Sequence, residues 1–339
     1  MWFTQKKSTE QDNPQVLLDE LDSNGIDLTI DELIRYQTKS SLINLAAAKS
    51  LHGKMSGNYL ARSKGRGMEF DEVRHYQNGD DIRAIDWRVT ARTGQTHTKL
   101  FREEIERPVL IASDLSTSMF FGSRLLFKSV QAAHVAALVA WHAKSRGDRI
   151  GGVVFNQYAH TELKPRSRQQ GVLHYLHALV ESHANSAIKS TEALDHQQAK
   201  LAFEQNCARL RQLAKPGSLV YLITDGYNLT DEAVRHLANI SRHCELVVCL
   251  ISDPLEQQLP ESKSKISVAI TNGTDNDGDD RQQLILGDKA IAEQYHQQAM
   301  ALNSTMEEKL TKAGARLLHF CASEALETQL NRGVASWIR

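Results

Sequence analysis

At 339 residues the chain exceeds one average domain, so a large domain with a smaller appendage is expected. Hydrophobic residues at 41% and charged residues at 24% are the proportions of a soluble globular protein, and a net charge of -1 gives no electrostatic case for binding nucleic acid or an anionic membrane surface. The four cysteines form no C-x-x-C pair, and Cys244, Cys249 and Cys321 lie in or beside apolar runs, where a thiol behaves as a small hydrophobe; a reducing compartment is expected. Met1 to Lys7 lead into polar residues without the apolar core of a signal peptide, and no apolar stretch approaches the roughly 20 residues a bilayer requires. A cytoplasmic protein with no direct membrane insertion is the expectation.

Taken in order, residues 1 to 12 are polar. From about Asn13 to Leu51 apolar residues recur at helical spacing, first Val16, Leu17 and Leu21, then Ile30, Leu33 and Ile34, then Leu42, Ile43, Leu45 and Ala46. These helices carry a modest apolar face and must dock on the main domain or on another protein. Residues 53 to 107 differ in texture: glycines and polar residues punctuate short alternating runs, which predicts small strands and tight turns rather than helix. Arg62, Lys64, Arg66, Arg74, Arg83, Arg88 and Arg92 alternate there with Glu69, Asp71, Glu72, Asp80, Asp81 and Asp86, a balance that predicts a lattice of internal ion pairs.

Beyond Pro108 the pattern becomes that of alternating buried strands and helices. Val109 to Asp114 reads as a strand, Arg124 to Ser145 as a long helix, Ile150 to Phe155 as a strand and Tyr158 to Leu163 as an antiparallel edge. Helical spacing returns around Val172 to Val180 and from Thr191 to Leu213. Strands follow at Leu219 to Asp225, Glu245 to Asp253 and Arg316 to Cys321. A hairpin is predicted at 266–270 and 283–286, and helices run through Val234, Leu237 and Ile240, from Asp288 to Ala313, and to the carboxyl end near Ile338. Long apolar strands alternating with helices need crossovers, hence an α/β fold with a doubly wound, mostly parallel sheet. His134 and His142 read as packed or solvated, and His174 with His177, three apart on one helix, lack a third ligand for zinc.

Two of the strands end in an acid that opens a loop with candidate ligands or a glycine turn. Asp114 opens Asp114-Leu115-Ser116-Thr117-Ser118, and in an extended loop residues two apart point the same way, so Asp114, Ser116 and Ser118 can present three oxygens to one point. Asp225, followed by Gly226, closes the other strand, and two acids at sheet ends can converge on one ion. Asp and Ser after a strand also serve as helix N-caps, and that bland role competes with metal binding. Hard oxygen donors suit Mg²⁺, Mn²⁺ or Ca²⁺ rather than zinc. No G-x-x-x-x-G-K-[ST] loop is present, which argues against nucleotide hydrolysis, and only His160 and Asp148 offer themselves, by elimination, as general bases.

The Asp114 loop and the Asp225 strand together resemble the metal-ion-dependent adhesion site of von Willebrand factor A domains. That resemblance implies one divalent ion, held by Asp114, Ser116, Ser118 and Asp225 and by a threonine from an intervening loop, here Thr191 in preference to Thr161. A second resemblance is more specific. Gly67, Glu69-Phe70, Arg74, Tyr76, Gly79-Asp80-Asp81, Arg83, Ile85-Asp86-Trp87, Thr90-Ala91-Arg92 and Glu103-Glu104, running into the Asp114 loop, resemble the signature of the prokaryotic family called domain of unknown function 58. It implies a small β-rich subdomain at 53–107 between an amino-terminal helical segment, 1–52, and a von Willebrand factor A-like domain, 108–339. As partner it implies an AAA+ ATPase of the MoxR class, with membrane-bound von Willebrand factor A proteins as further partners. The expected role is a non-enzymatic, metal-dependent adaptor. An Mg²⁺-dependent hydrolase of a phosphorylated ligand and a plain scaffold with a degenerate site are the alternatives.

Overall fold

The computed structural model describes residues 14–42, 68–103, 107–189, 196–260, 262, 264–271 and 281–332. It divides into two compact units, one of residues 47–106 and one of residues 1–46 with 107–339.

The chain enters the larger unit through α1 (Pro14–Leu21) and α2 (Ile30–Ile34). Thr29 caps α2 by accepting from the Glu32 amide, and Asp31 and Glu32 place negative charge at the helix's positive end. Leu21, Leu28, Leu33 and Tyr36 are buried in the core of this unit, whereas Val16, Ile26 and Ile34 stay exposed; Ile43, Leu45 and Ala46 lie outside the described residues.

The smaller unit holds β1 (Met68–His75), α3 (Trp87–Thr93) and β2 (His97–Glu103), with β1 and β2 paired as an antiparallel ladder. The sequence predicts no helix here, yet α3 forms, because Asp86 accepts from the Arg88 and Val89 amides at 3.0 and 3.1 Å and Gly94 closes the helix in the left-handed conformation. Of the acids in the expected ion-pair lattice, Asp80, Asp81 and Asp86 have described side chains, and each accepts from backbone amides. Asp81 accepts from the Arg83 amide, and Asp80 takes both the Gln77 amide and Arg74. Arg74 to Asp80 at 2.7 Å and Lys99 to Asp86 at 3.7 Å are ion pairs among the described residues of this segment; Arg62, Lys64 and Arg66 lie outside them.

The larger unit continues with β3 (Pro108–Asp114), α4 (Lys128–Ser145), β4 (Arg149–Phe155), β5 (His160–Arg166), α5 (Arg168–Lys189), α6 (His196–Leu213), β6 (Leu219–Thr224), α7 (Asp231–Ser241), β7 (Glu245–Ser252) and α8 (Pro254–Gln257). It ends with the antiparallel pair β8 (Ile266–Thr271) and β9 (Arg281–Leu286), then α9 (Lys289–Lys312), β10 (Arg316–Cys321) and α10 (Leu326–Asn331). Six strands form one sheet in the order β10-β7-β6-β3-β4-β5, parallel throughout except for β5, which pairs antiparallel to β4 at the edge. This is the mostly parallel, helix-flanked α/β sheet that the alternation of strands and helices predicts.

The central strands β3, β4, β6 and β7 are apolar on both faces because both are covered. Val109, Ile111, Tyr221 and Ile223 face a layer built from α4, α5 and the amino-terminal helices. Leu110, Ala112, Val220 and Leu222 face Phe203 and Leu210 of α6, Leu237 of α7 and Leu310 of α9. Each buried aliphatic side chain contributes about 1.5–3 kcal/mol relative to exposure. From β3 the chain builds outward through β4 and β5, then returns to build through β6, β7 and β10 on the other side. The order therefore reverses between β3 and β6, the place where open α/β sheets bind ligands. None of the described helices is long and apolar enough to cross a membrane.

Candidate metal centre

Asp114 ends β3, and the sheet register runs Ser113 opposite Ile223, so Asp114 meets Thr224 at the reversal point and Asp225 follows directly. Asp114 is fully buried. Its Oδ1 accepts from the Ser116 amide at 3.0 Å and its Oδ2 from the Thr224 hydroxyl at 2.8 Å. Burial, and next the charge of Asp225, push its carboxyl up to about 6.

The extended conformation runs as far as Ser116 and stops there. Thr117–Met119 forms a single 3₁₀ turn with Ser116 at its start, and this turn swings Ser118 round until its Oγ lies 3.3 Å from Ser116 Oγ. Neighbouring oxygens in an octahedral Mg²⁺ shell, at about 2.0–2.1 Å from the ion, stand roughly 3 Å apart, so the two hydroxyls are spaced for one ion. Asn228 donates to Ser116 Oγ at 3.1 Å, and Gln157 clamps the turn through the amide and hydroxyl of Thr117.

Asp225, 5% exposed, has a different environment. Its Oδ1 accepts from the Tyr227 amide at 3.1 Å and its Oδ2 from Lys128 Nζ at 2.8 Å. Lys128, the first residue of α4, is completely buried and also donates to Glu256 Oε1 at 2.5 Å. Burial alone would lower the lysine's pKa, but the charges of Asp225 and Glu256 outweigh that and hold it above the ordinary value. Burial raises the Glu256 carboxyl, against the opposing pull of Lys128.

Three ties fix the segment that delivers Lys128. Ser123 gives its amide and hydroxyl to Asp253 at 2.9 and 2.6 Å, the Leu126 amide reaches the Ala322 carbonyl, and the Phe127 amide reaches that of Gly25. Gly226, at φ +80°, turns the chain after Asp225, and a Cβ there would meet Met306 Sδ at 2.0 Å.

The structure thus gathers Asp114, Ser116, Ser118 and Asp225 at one sheet end. Thr191 lies outside the described residues, in the connection between α5 and α6. The donor set fits a hard divalent ion in one respect above all: Asp114 is a buried carboxylate beside a second one, and among the described residues its partners are an amide and a hydroxyl rather than a cation. No three His, Cys, Asp or Glu side chains converge as a metal cluster among the described residues; this is a site of two acids and hydroxyls.

Sequence reasoning missed Thr224, Asn228, Lys128 and Glu256. Thr224 was within reach, since strand pairing sets the residue before one sheet-end acid beside the other. Of the two candidate bases, Asp148 sits at the opposite, amino-terminal end of the sheet, accepting from the Arg107 amide at 3.1 Å. His160 is exposed on the edge strand two strands from Asp114, about 10 Å of sheet width away. His134 is buried against Glu32 at 2.6 Å, His142 meets the Ser40 carbonyl, and His174 and His177 are exposed.

Comparison with known proteins yields relatives and a family. Uncharacterized proteins of Mycobacterium bovis and Mycobacterium tuberculosis are 26% identical over 221 residues, 65% of this chain; the chain spans 66%, just under two thirds, of those relatives' length. Among solved structures, the conserved hypothetical protein BatB of Bacteroides thetaiotaomicron aligns with a TM-score of 0.41 at 14% identity, over 68% of this chain and 98% of that one. An aerotolerance-related membrane protein of Bacteroides fragilis aligns at 0.40 and 16%, over 68% and 99%. The family model described as protein of unknown function DUF58 matches residues 72–304, and the chain belongs to that family.

Proposed function

We propose that this chain is a non-enzymatic, metal-dependent protein-interaction module of the von Willebrand factor A type. It holds one Mg²⁺, or Mn²⁺ or Ca²⁺ in its place, through Asp114, Ser116, Ser118 and Asp225, with Thr191 as a further ligand. Asp114 supports this reading most directly. A carboxylate buried at a ligand-binding sheet end, held above the usual range and lacking a cationic partner among the described residues, is stabilised by a bound cation. An ion held mainly by hydroxyls and few charged groups keeps Lewis acidity for one more carboxylate, supplied by a partner. Phe121 and Tyr227, 37% and 49% exposed on the loops after β3 and β6, give that partner an aromatic rim.

The partner proposed is a MoxR-class AAA+ ATPase. The ATPase supplies mechanical work, and this chain directs it to a client during assembly or maturation of a protein complex. A cytoplasmic setting accompanies this reading, in keeping with the free Cys207, Cys244, Cys249 and Cys321.

The experiment is capture of the purified ATPase by the full chain in Mg²⁺ and in EDTA, with Asp114→Asn as the variant. Capture that needs both Mg²⁺ and Asp114 is expected. Capture indifferent to both would leave a scaffold, and turnover of a phosphorylated compound that disappears in the variant would make the chain a hydrolase.

A further inference from the structure

Lys128 is misplaced by every local rule. It is the first residue of an 18-residue helix, where the backbone already presents positive charge, no acid occupies that first turn, and the side chain is 0% exposed. A cation buried at the positive end of a helix is retained only if something outside the helix requires it. Here that is Asp225 and Glu256, at 2.8 and 2.5 Å, with the Tyr227 ring centroid 5.0 Å from the ammonium.

This cation sits on one of the two acids that the metal reading assigns to the ion. Both Asp225 oxygens already have a donor, Oδ1 from the Tyr227 amide and Oδ2 from Lys128. A divalent ion approaching Oδ2 meets an ammonium on the same atom. The ammonium, however, has a second seat: Glu256, fixed by a capping box at the start of α8, in which its Oε2 accepts the Asp253 amide at 3.0 Å. Building on the metal site proposed above, we infer that Lys128 is a tethered cation that competes with the divalent ion for Asp225, and that metal loads as the ammonium withdraws onto Glu256.

Removing a positive charge tightens any nearby cation site through space, so Lys128→Met alone proves nothing. The double variant Lys128→Met/Glu256→Gln removes one charge of each sign and leaves the local sum unchanged. Mn²⁺ binding to the full chain, read by electron paramagnetic resonance, is expected to be at least tenfold tighter in this variant than in the wild type, with a correspondingly larger Mn²⁺-induced rise in Tm. Equal or weaker binding by the folded variant overturns the competition while leaving the metal site in place. Absence of Mn²⁺ binding by both proteins overturns the metal site and the competition together.

A second variant covers failure of the first to fold. Glu256→Asp keeps every charge but draws the second seat away from the ammonium, so Lys128 rests more fully on Asp225. Mn²⁺ binding weakened threefold or more is expected, and unchanged binding overturns the proposal.

Discussion

The hydroxyl of Thr224, last residue of β6, donates a 2.8 Å hydrogen bond to Oδ2 of Asp114, last residue of β3. This one contact ties the two strand ends on either side of the reversal point and aims the Asp114 carboxylate. Thr224→Val keeps the shape and removes the bond. Stability is expected to fall by about 1.5–3 kcal/mol, as for other hydrogen bonds to charged groups, and Mn²⁺ affinity to fall severalfold. A chemical melt and a Mn²⁺ titration of the same preparation check both; an unchanged titration would disconnect Thr224 from the site.

A native carboxyl near 6 against about 3.9 unfolded means that the folded state holds the extra proton between those values. The cost of ionising Asp114 is therefore fully present above pH 6 and is relieved as the pH falls below it. Without metal, Asp114→Asn should be more stable than the wild type at pH 8 by about 1–3 kcal/mol, and the gap should close toward pH 4. With metal the sign reverses, because the ion needs the ionised acid. Mn²⁺ affinity should drop roughly tenfold per unit below pH 6, with one proton released per ion bound. Calorimetry in two buffers of different ionisation enthalpy reads that proton.

His183 on α5 is buried against Ser129 at 3.0 Å and Phe120, and burial pushes its imidazole down to about 4. Here the unfolded chain binds the extra proton. The stability held with neutral imidazole is complete above pH 6.5 and is lost as the pH falls toward 4, by up to about 3 kcal/mol. His183→Gln should flatten that part of the stability profile relative to the wild type. Parallel profiles would show that the ring takes up its proton in place.

Gly226 carries a positive φ, and a Cβ added there would run into Met306, so Gly226→Ala meets both backbone strain and a side-chain clash. A loss of about 1–3 kcal/mol is expected, with Mn²⁺ binding impaired because Asp225 is the preceding residue. Adding Met306→Ala should recover the part due to the clash and leave the part due to φ. Full recovery would assign the whole cost to packing.

Glu32 joins α2 to α4 through His134, and the Trp141 indole donates to the Leu33 carbonyl at 3.0 Å nearby. Glu32→Ala leaves a buried imidazole without its partner and should cost about 2–4 kcal/mol. Hydrogen exchange should quicken first in 14–42, because α2 has few other polar ties to α4. Uniform quickening across the larger unit would instead mean that this segment unfolds only with the whole.

Much of the sheet is legible in the sequence. A strand covered on both faces must be apolar at every position, and Val109 to Ala112 and Leu219 to Ile223 are; a helix beside it must repeat every three to four residues, and Val130, Ala137, Leu138 and Trp141 do. Both acids could be picked out for the same reason, since a charged residue at the end of such a run marks where the buried strand stops. By contrast α3 left no trace, because seven residues of mixed polarity carry no periodicity and its formation rests on the Asp86 cap.

What the sequence determined, then, is where apolar surface must be hidden, and with it the alternation of strands and helices and the two acids at strand ends. Only the tertiary structure decided which charges meet. Lys128 lies 97 residues from Asp225 and 128 from Glu256, and Asp114 lies 110 from Thr224. Periodicity reports on residues two to four apart that share a face, whereas the partner of a buried charge depends on which crossover returns which strand end to its side.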